Sequence, residues 1–321
     1  MTAFPARSAR APARRHEYAA LGLVLVLLVG LFGVLNDHFI SRLTFTTIAN
    51  QVPALTVAAV GMTLVLVSGG IDLSVGSVMA VSAALLGVAV AQWQWPLPLA
   101  AAAALAIGTG AGLLNGLVTV RWRVPSFIVT LGMLEIGRGG AYLLTDSRSV
   151  FVGPALDAVG APIAGVGLSP AFLLAVGLVV AGQVVLTRTV FGRYVVAVGT
   201  SREAVRLSGI EPGPVDVAVF TIAGALAGLA GVFHVAYLES ADPNAGIGME
   251  LSAIAAVVIG GTSLMGGRGS VVSSFLGVLI IAVLQAGLAQ AGASEPAKRI
   301  VTGAVIVAAV IADAYRQARV R

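Results

Sequence analysis

The sequence contains no cysteine and only three histidines among its 321 residues. Without cysteine, the chain cannot form a disulfide, a thiol nucleophile or a thiolate metal site. An enzyme working inside a membrane would need a metal cluster or a nucleophile beside a base, and three histidines make either arrangement improbable. We therefore expect a chain that is not an enzyme and that binds no metal and no cofactor of its own.

Charged residues are also scarce. Asp, Glu, Lys and Arg together make up 10% of the chain and hydrophobic residues 58%, whereas soluble domains carry about 25% charged residues. So little charge cannot cover the surface of a water-soluble protein of this size. The mean hydropathy is +0.99, and the 40 glycines suit membrane helices that pack closely. The composition predicts an all-α polytopic membrane protein embedded in a lipid bilayer.

The apolar segments are long enough to place the membrane crossings. A helix needs about 20 apolar residues to cross the hydrocarbon core of a bilayer. Residues 1–17 are predicted to be a disordered tail, residues 18–315 a single transmembrane domain and residues 316–321 a second tail. The domain is predicted to contain ten spans, at 18–36, 46–68, 73–92, 97–119, 126–145, 167–187, 215–238, 250–265, 270–291 and 298–315.

The positive charges indicate the orientation of these spans. Fourteen Lys and Arg residues fall in the segments on the side of the amino terminus, and four fall on the opposite side. Short cytoplasmic loops are enriched in Lys and Arg, so both termini are predicted to be cytoplasmic, in the inner membrane of a bacterium. The net charge of +5 is spread over these loops, which argues against a nucleic acid as partner.

Two charged residues lie inside a predicted span. Glu135 and Arg138 are three residues apart in the span 126–145, and therefore on one helix face. Charged groups within a membrane are usually paired or face a cavity. We expect a local ion pair, and a contact with a transported solute is the alternative.

Two glycine-rich stretches, 69–77 and 260–270, resemble each other. Each closes one apolar span and opens the next, and interrupted spans are typical of transport pathways. Both are predicted to be broken or re-entrant segments, and their similarity could reflect an internal repeat. Asp72 is expected to cap the helix that follows it, although it could instead line the route of a hydroxylated solute. The candidate residues of the path or of the helix breaks are Gly69, Gly70, Asp72, Ser74, Gly260, Gly261, Thr262 and Ser263.

The longest loop on the side of the termini, residues 188–214, carries signals for a short helix. Ser201 is a suitable cap, Glu203 lies in the first turn and Gly209 marks the end. Apolar and basic residues fall on different sides of this helix. It is predicted to dock into a partner, and a helix lying on the lipid surface is the alternative.

Four collinear motifs resemble a known family. They are Phe191-Gly192-Arg193-Tyr194 through Ile210, Gly61 through Ser77, Val124 through Met133, and Ala255 through Ser270. Together these motifs resemble the permease subunits of sugar-type ABC importers, which include the ribose, xylose, arabinose and autoinducer-2 systems. The resemblance extends from about residue 45 to 312 and so covers nearly the whole chain.

The resemblance implies an importer for a monosaccharide or similar small hydroxylated solute. In such a system the permease works with a second copy or a paralogue, receives solute from a periplasmic solute-binding protein and docks on an ATPase subunit that binds ATP and Mg. The chain has no G-x-x-x-x-G-K-[ST] phosphate loop, so it is not itself the ATPase. The residues implied for coupling to the ATPase are Gly192, Arg193, Gly199, Ser201, Glu203, Ala204, Leu207 and Gly209.

An ion-coupled secondary transporter of a small polar solute is the alternative function. Such carriers place ionisable groups inside the membrane to bind the coupling ion. Here Glu135 and Arg138 are the only clear charges well inside a span. These two residues can satisfy each other, so the importer is the better prediction.

Overall fold

The computed structural model describes residues 11–318. This part of the chain is almost entirely helical, with one short 3₁₀ helix at Gly153–Leu156 and two very short strands, β1 (Val150–Phe151) and β2 (Ser240–Ala241). The strands pair antiparallel, with Val150 opposite Ala241. The α-helices are α1 (Ala11–Leu35), α2 (Arg42–Gln51), α3 (Pro53–Val67), α4 (Val75–Ala91), α5 (Leu97–Trp122), α6 (Ser126–Thr145), α7 (Asp157–Gly160), α8 (Pro170–Arg188), α9 (Val190–Thr200), α10 (Arg202–Leu207), α11 (Pro212–Leu238), α12 (Met249–Ile259), α13 (Val271–Gln290) and α14 (Glu295–Ala318).

Six helices in the described part of the chain are long and apolar enough to cross a membrane: α1, α5, α6, α8, α11 and α13. The pair α2 and α3 is bent by 49° and gives a seventh crossing if it forms one span. These helices confirm the predicted fold class, an all-α polytopic membrane protein.

Several predicted spans differ from the helices that form. The span predicted at 46–68 is split between α2 and α3, because Pro53 has no N–H to continue the first helix and instead begins the second. Where a span was predicted at 250–265, the helix is α12 (Met249–Ile259), which is only 11 residues long. The predicted loop 188–214 is mostly helical, since α9 and α10 occupy most of it.

The middle of the bundle is held together by glycine contacts between α5 and α11. A Cβ at Gly112 would lie 2.2 Å from the carbonyl oxygen of Phe220, and one at Gly224 would lie 2.2 Å from the carbonyl oxygen of Gly108. The two backbones are therefore closer than any larger side chains would allow. Small residues four apart permit this kind of approach in membranes, and the packing makes α11 a central helix that also contacts α3 and α4.

Candidate translocation and coupling site

The predicted glycine-rich stretches form two breaks with the same hydrogen-bonding pattern. We call residues 68–74 the first break and residues 260–270 the second break. At the first, the amide of Gly69 donates to Leu66 and that of Gly70 to Val65. These two bonds form a Schellman motif, in which a residue with positive φ ends the helix; Gly69 has a φ of 84°.

The second break ends α12 in the same way. The amide of Gly261 donates to the carbonyl of Val258, and the amide of Thr262 donates to that of Val257. Gly261 has a φ of 85°. The two helix ends therefore share both bonds of the Schellman motif and the position of its glycine. The same motif also ends α10 at Gly209 and α13 at Gly292.

The two breaks contact each other. The amide of Gly267 donates a hydrogen bond of 2.9 Å to the carbonyl oxygen of Val67, the last residue of α3. A Cβ at Gly266 would lie 3.0 Å from the Cα of Gly69. Segments almost 200 residues apart in the chain therefore meet at one end of the bundle.

The end of α9 lies in this contact. A Cβ at Gly199 would lie 1.8 Å from the carbonyl oxygen of Val67 and 2.6 Å from the amide nitrogen of Gly267. We call the meeting point of Val67, Gly199 and Gly267 the break junction. It places a residue of the predicted coupling segment directly against both predicted breaks.

Asp72 holds the start of α4. One oxygen of its carboxylate accepts the Ser74 amide at 2.8 Å and the Ser74 hydroxyl at 2.6 Å. The Ser74 hydroxyl in turn accepts a hydrogen bond of 3.0 Å from the side-chain amide of Asn115 on α5. All three side chains are buried. The Oδ1 atom of Asn115 has no hydrogen-bond partner among the described residues.

The extended part of the first break lies along the beginning of α6. The amide of Ile71 donates to the Ser126 hydroxyl at 2.9 Å, and the amide of Leu73 donates to the Thr130 hydroxyl at 3.1 Å. Two hydroxyl side chains thus satisfy backbone groups that no helix satisfies, which allows a non-helical segment to exist within a membrane protein.

In the second break, the predicted residues Thr262 and Ser263 are buried. The Ser263 hydroxyl accepts the amide of Met265 at 3.2 Å. Gly260 lies against α13, since a Cβ there would be 2.6 Å from backbone atoms of Ser273. These contacts keep the second break compact and close to the start of α13.

The predicted short helix is present as α10. The Ser201 hydroxyl accepts the amide of Ala204 at 3.2 Å and caps it. At its other end, Gly209 has a φ of 82° and the amide of Ile210 donates to Val205. Glu203, Ala204 and Leu207 are exposed.

The helix α9, which precedes α10, was not predicted. It is capped by the Thr189 hydroxyl, which accepts the amide of Gly192 at 3.1 Å. Gly192 is buried against the end of α8, and Arg193 is exposed. The spacing of the buried residues Val195 and Val198 was the signal for this helix. An apolar groove of about 530 Å³ lies between the two helices; we call it the α9–α10 groove, and it is lined by Arg193, Tyr194, Ala197, Thr200, Ser201, Ala204, Val205, Ser208 and Ile210.

An ion pair between a half-exposed arginine and a buried aspartate, which was not predicted, ties α10 to α11. The two terminal guanidinium nitrogens of Arg202 donate to the Asp216 carboxylate, at 2.5 and 3.1 Å. The Asp216 side chain is 2% exposed and the Arg202 side chain 51% exposed. One feature of the sequence could have indicated this ion pair: a lone carboxylate stands in an apolar run, 14 residues after an arginine. The pair borders a cavity of about 540 Å³ that also contacts Gly69, Gly70 and Ile71.

The predicted ion pair between Glu135 and Arg138 is wrong. The Arg138 guanidinium donates instead to the carbonyl oxygens of Pro243, at 2.5 Å, and Ala245, at 2.8 Å. Among the ion pairs of the described residues, none contains Glu135, which is exposed. The loop before α12 reaches Arg138 and provides both carbonyl oxygens. The spacing of residues along α6 cannot reveal a contact with a loop so distant in the sequence.

The loop that holds Arg138 is itself ordered by Asp242. Its carboxylate accepts the amide of Asn244 at 2.7 Å and the hydroxyl of Ser149 at 3.0 Å. The hydrogen bond from the Asn244 amide is the main reason that the pKa of Asp242 is lower than usual for an aspartate.

In the described part of the chain, no group of three or more His, Asp or Glu residues is placed to hold a metal ion.

Comparison with known proteins identifies the class of transport protein. Residues 44–310 match the family described as the permease component of branched-chain amino acid transport systems. Because this match covers most of the chain, the chain belongs to that family. It is a permease subunit of an ABC importer, and ATP hydrolysis takes place on a separate subunit.

Individual relatives within this class are named as sugar permeases. The ribose import permease protein of Escherichia coli strain K12 is 38% identical over 306 residues, which are 92% of this chain and 93% of the relative. That of Bacillus subtilis strain 168 is 37% identical over 312 residues, 92% of each chain. The fructose import permease protein of Rhizobium meliloti is 34% identical over 307 residues, 91% of this chain and 84% of the relative. No solved structure shows a significant match.

Proposed function

We propose that this permease carries a monosaccharide from a periplasmic solute-binding protein to the cytoplasm, driven by ATP and Mg on a separate ATPase subunit. The names of the ribose and fructose import permeases support this class of solute. D-Ribose is therefore the first solute to test.

The single observation that carries the mechanism is the break junction. The α9–α10 groove is the docking site for the ATPase, and its helix α9 ends at Gly199, against Val67 and Gly267. A movement of the docked ATPase therefore displaces the end of α9 against both breaks. The first and second breaks, including Asp72 and Ser74, lie beside the translocation path, so this displacement opens or closes it. A partner can drive a conformational change only if its contacts differ between the two states, and the contacts of Gly199 at the break junction are the ones that would differ.

The experiment that tests docking places a charge in the α9–α10 groove. Ala204→Glu is expected to abolish ATP-dependent uptake of D-ribose and solute-stimulated ATP hydrolysis, because a carboxylate would enter an apolar interface unpaired. The matched control is Ala164→Glu, the same change at an exposed alanine in the loop before α8, at the other end of that helix. Normal coupled hydrolysis in Ala204→Glu, at equal amounts in the membrane, would contradict the docking site.

The membrane arrangement completes the proposal. The chain crosses the bacterial inner membrane ten times, with α4, α12 and α14 adding to the longer helices, and both termini are cytoplasmic. The excess of Lys and Arg in the segments that would then be cytoplasmic supports this orientation. Reporter fusions after Gly209 and after Ala164 test it, and a periplasmic position of Gly209 would contradict it.

The permease acts as a pair, formed with a second copy or a paralogue. The solute path then runs between the two halves. Uptake measured after ATP depletion, with the ion gradients intact, tests the energy source: continued uptake would overturn the importer and favour an ion-coupled carrier.

A further inference from the structure

One face of α6 differs from the other exposed helix surfaces. Its exposed residues recur every three or four positions and form one continuous stripe: Phe127, Ile128, Leu131, Gly132, Glu135, Ile136, Gly139 and Leu143. Seven of these eight are apolar or glycine. The remaining one, Glu135, is a carboxylate in the middle of the stripe.

Glu135 lies halfway along a membrane-spanning helix. It is nine residues from Ser126 and ten from Thr145, the two ends of α6. At a rise of 1.5 Å per residue, these separations are about 14 and 15 Å. The hydrocarbon core of a bilayer is about 30 Å thick, so the Glu135 carboxylate lies near its centre.

No described residue neutralises this carboxylate. Its neighbour on the helix, Arg138, is directed to the carbonyl oxygens of Pro243 and Ala245. A charged side chain facing lipid at this depth is costly, and such residues almost always face a protein interior or a water-filled cavity. This face of α6 is exposed on the single chain. A water-filled cavity that surrounds Glu135 must therefore lie outside the single chain.

The exposed face of α8 provides the contrast. It contains Leu173, Leu174, Val180 and Val184 and no charged residue within the span. Such a surface suits lipid. The two faces therefore indicate different surroundings at the same depth of the membrane.

We propose that the Glu135 face of α6 lines the water-filled solute path between the two permease copies, and that the Glu135 carboxylate binds hydroxyl groups of the passing monosaccharide. This inference rests on the proposed function. A carboxylate accepts hydrogen bonds from hydroxyls, and charge-assisted bonds are the stronger kind. Gly132 and Gly139 have no atoms within 4 Å of the position of a Cβ, so they leave room for a solute on either side of Glu135.

The absence of cysteine permits a direct test. Ile136→Cys places a thiol on the proposed path, at residue 11 of α6, where the side chain is 68% exposed. Val180→Cys is the matched control, at residue 11 of α8 with 57% exposure. Each variant is assembled with its ATPase and treated in membrane vesicles with a charged, membrane-impermeant methanethiosulfonate reagent.

We expect labelling of Ile136→Cys to be at least tenfold faster than that of Val180→Cys. Only a thiol in contact with water ionises and reacts with such a reagent. D-Ribose, supplied with its binding protein and ATP, should slow the labelling of Ile136→Cys. Equal labelling rates for the two variants would overturn the proposal.

A second measurement addresses the carboxylate itself. Glu135→Leu is expected to lower the rate of D-ribose uptake at least tenfold, and Glu135→Gln to lower it less, because the amide still offers an oxygen to solute hydroxyls. Uptake by Glu135→Leu at the wild-type rate, with equal amounts of assembled complex, would overturn the role of Glu135. If uptake instead proved independent of ATP, the proposed function would fail, while the labelling of Ile136→Cys would still report a water-filled path.

Discussion

The amide of Gly267 donates a hydrogen bond of 2.9 Å to the carbonyl oxygen of Val67, and this bond joins the second break to the end of α3. Gly199 of α9 lies against both partners, so the break junction brings three distant segments of the chain together. The position of the groove helix α9 is therefore coupled to the end of α3 and to the second break.

Gly199→Ala is expected to displace α9 from the break junction, because the new methyl group would lie 1.8 Å from the Val67 oxygen. Overpacking of this kind costs about 1–3 kcal/mol. We expect uptake of D-ribose to fall at least tenfold and the purified complex to melt at a lower temperature. Gly177→Ala on α8 is the control, since a Cβ there meets no atom within 4 Å. Similar uptake by the two variants would mean that the contact at Gly199 is not needed.

The ion pair between Arg202 and Asp216 should show an asymmetry. Arg202→Ala leaves a buried carboxylate without its partner, whereas Asp216→Ala leaves an arginine that is half exposed. We expect Arg202→Ala to destabilise the protein by on the order of 1–3 kcal/mol and Asp216→Ala by less. Thermal unfolding in detergent measures both.

Two further variants complete this test. Arg206→Ala is the control, because Arg206 pairs with Glu203 only at 3.9 Å and both side chains are exposed; such pairs contribute about 0–1 kcal/mol. The double variant Arg202→Ala with Asp216→Ala should be more stable than Arg202→Ala alone. If Arg202→Ala behaves like Arg206→Ala, the pair does not hold α10 on α11.

Asp72 is expected to matter through its hydrogen bonds more than through its charge. Asp72→Asn keeps an oxygen that can accept from Ser74, so uptake should stay near the wild-type rate. Asp72→Ala removes this oxygen and leaves the buried Ser74 amide and hydroxyl without their acceptor, which should cost about 1–3 kcal/mol. Uptake and thermal unfolding at equal expression distinguish the two effects. A severe loss of uptake in Asp72→Asn, with stability unchanged, would instead show that the charge acts in the solute path.

The loop at Asp242 should weaken in acid. Its folded pKa is lower than usual, so the ionised carboxylate stabilises the loop at neutral pH. This contribution is complete above the ordinary aspartate pKa of about 3.9 and is lost as the pH falls through the lower folded value. We expect Asp242→Ala to melt at a lower temperature than the wild type at pH 7, with the difference shrinking towards pH 3. A difference that does not depend on pH would assign the effect to packing alone.

Much of the fold could be predicted because it depends on composition and on residues within one turn of each other. A surface with so little charge requires lipid, whatever the arrangement of the helices. Ser201 and Gly209 define α10 through bonds that span no more than five residues. The number of membrane crossings was harder to predict from the sequence, because α4 and α12 are shorter than a full span. A hydropathy pattern does not reveal where a helix stops inside a membrane.

Only the tertiary structure decided which distant residues meet. Local spacing suggested Glu135 as the partner of Arg138, but a loop more than 100 residues away supplies two carbonyl oxygens. The sequence likewise contains Val67, Gly199 and Gly267 without showing that they touch. Hydrogen bonds and close packing require distances of a few ångströms, and those distances are set by how the helices assemble. The sequence thus determined the solvent, the short helix α10 and the position of the breaks. The assembly of the bundle determined the break junction and left the Glu135 carboxylate without an ion pair among the described residues.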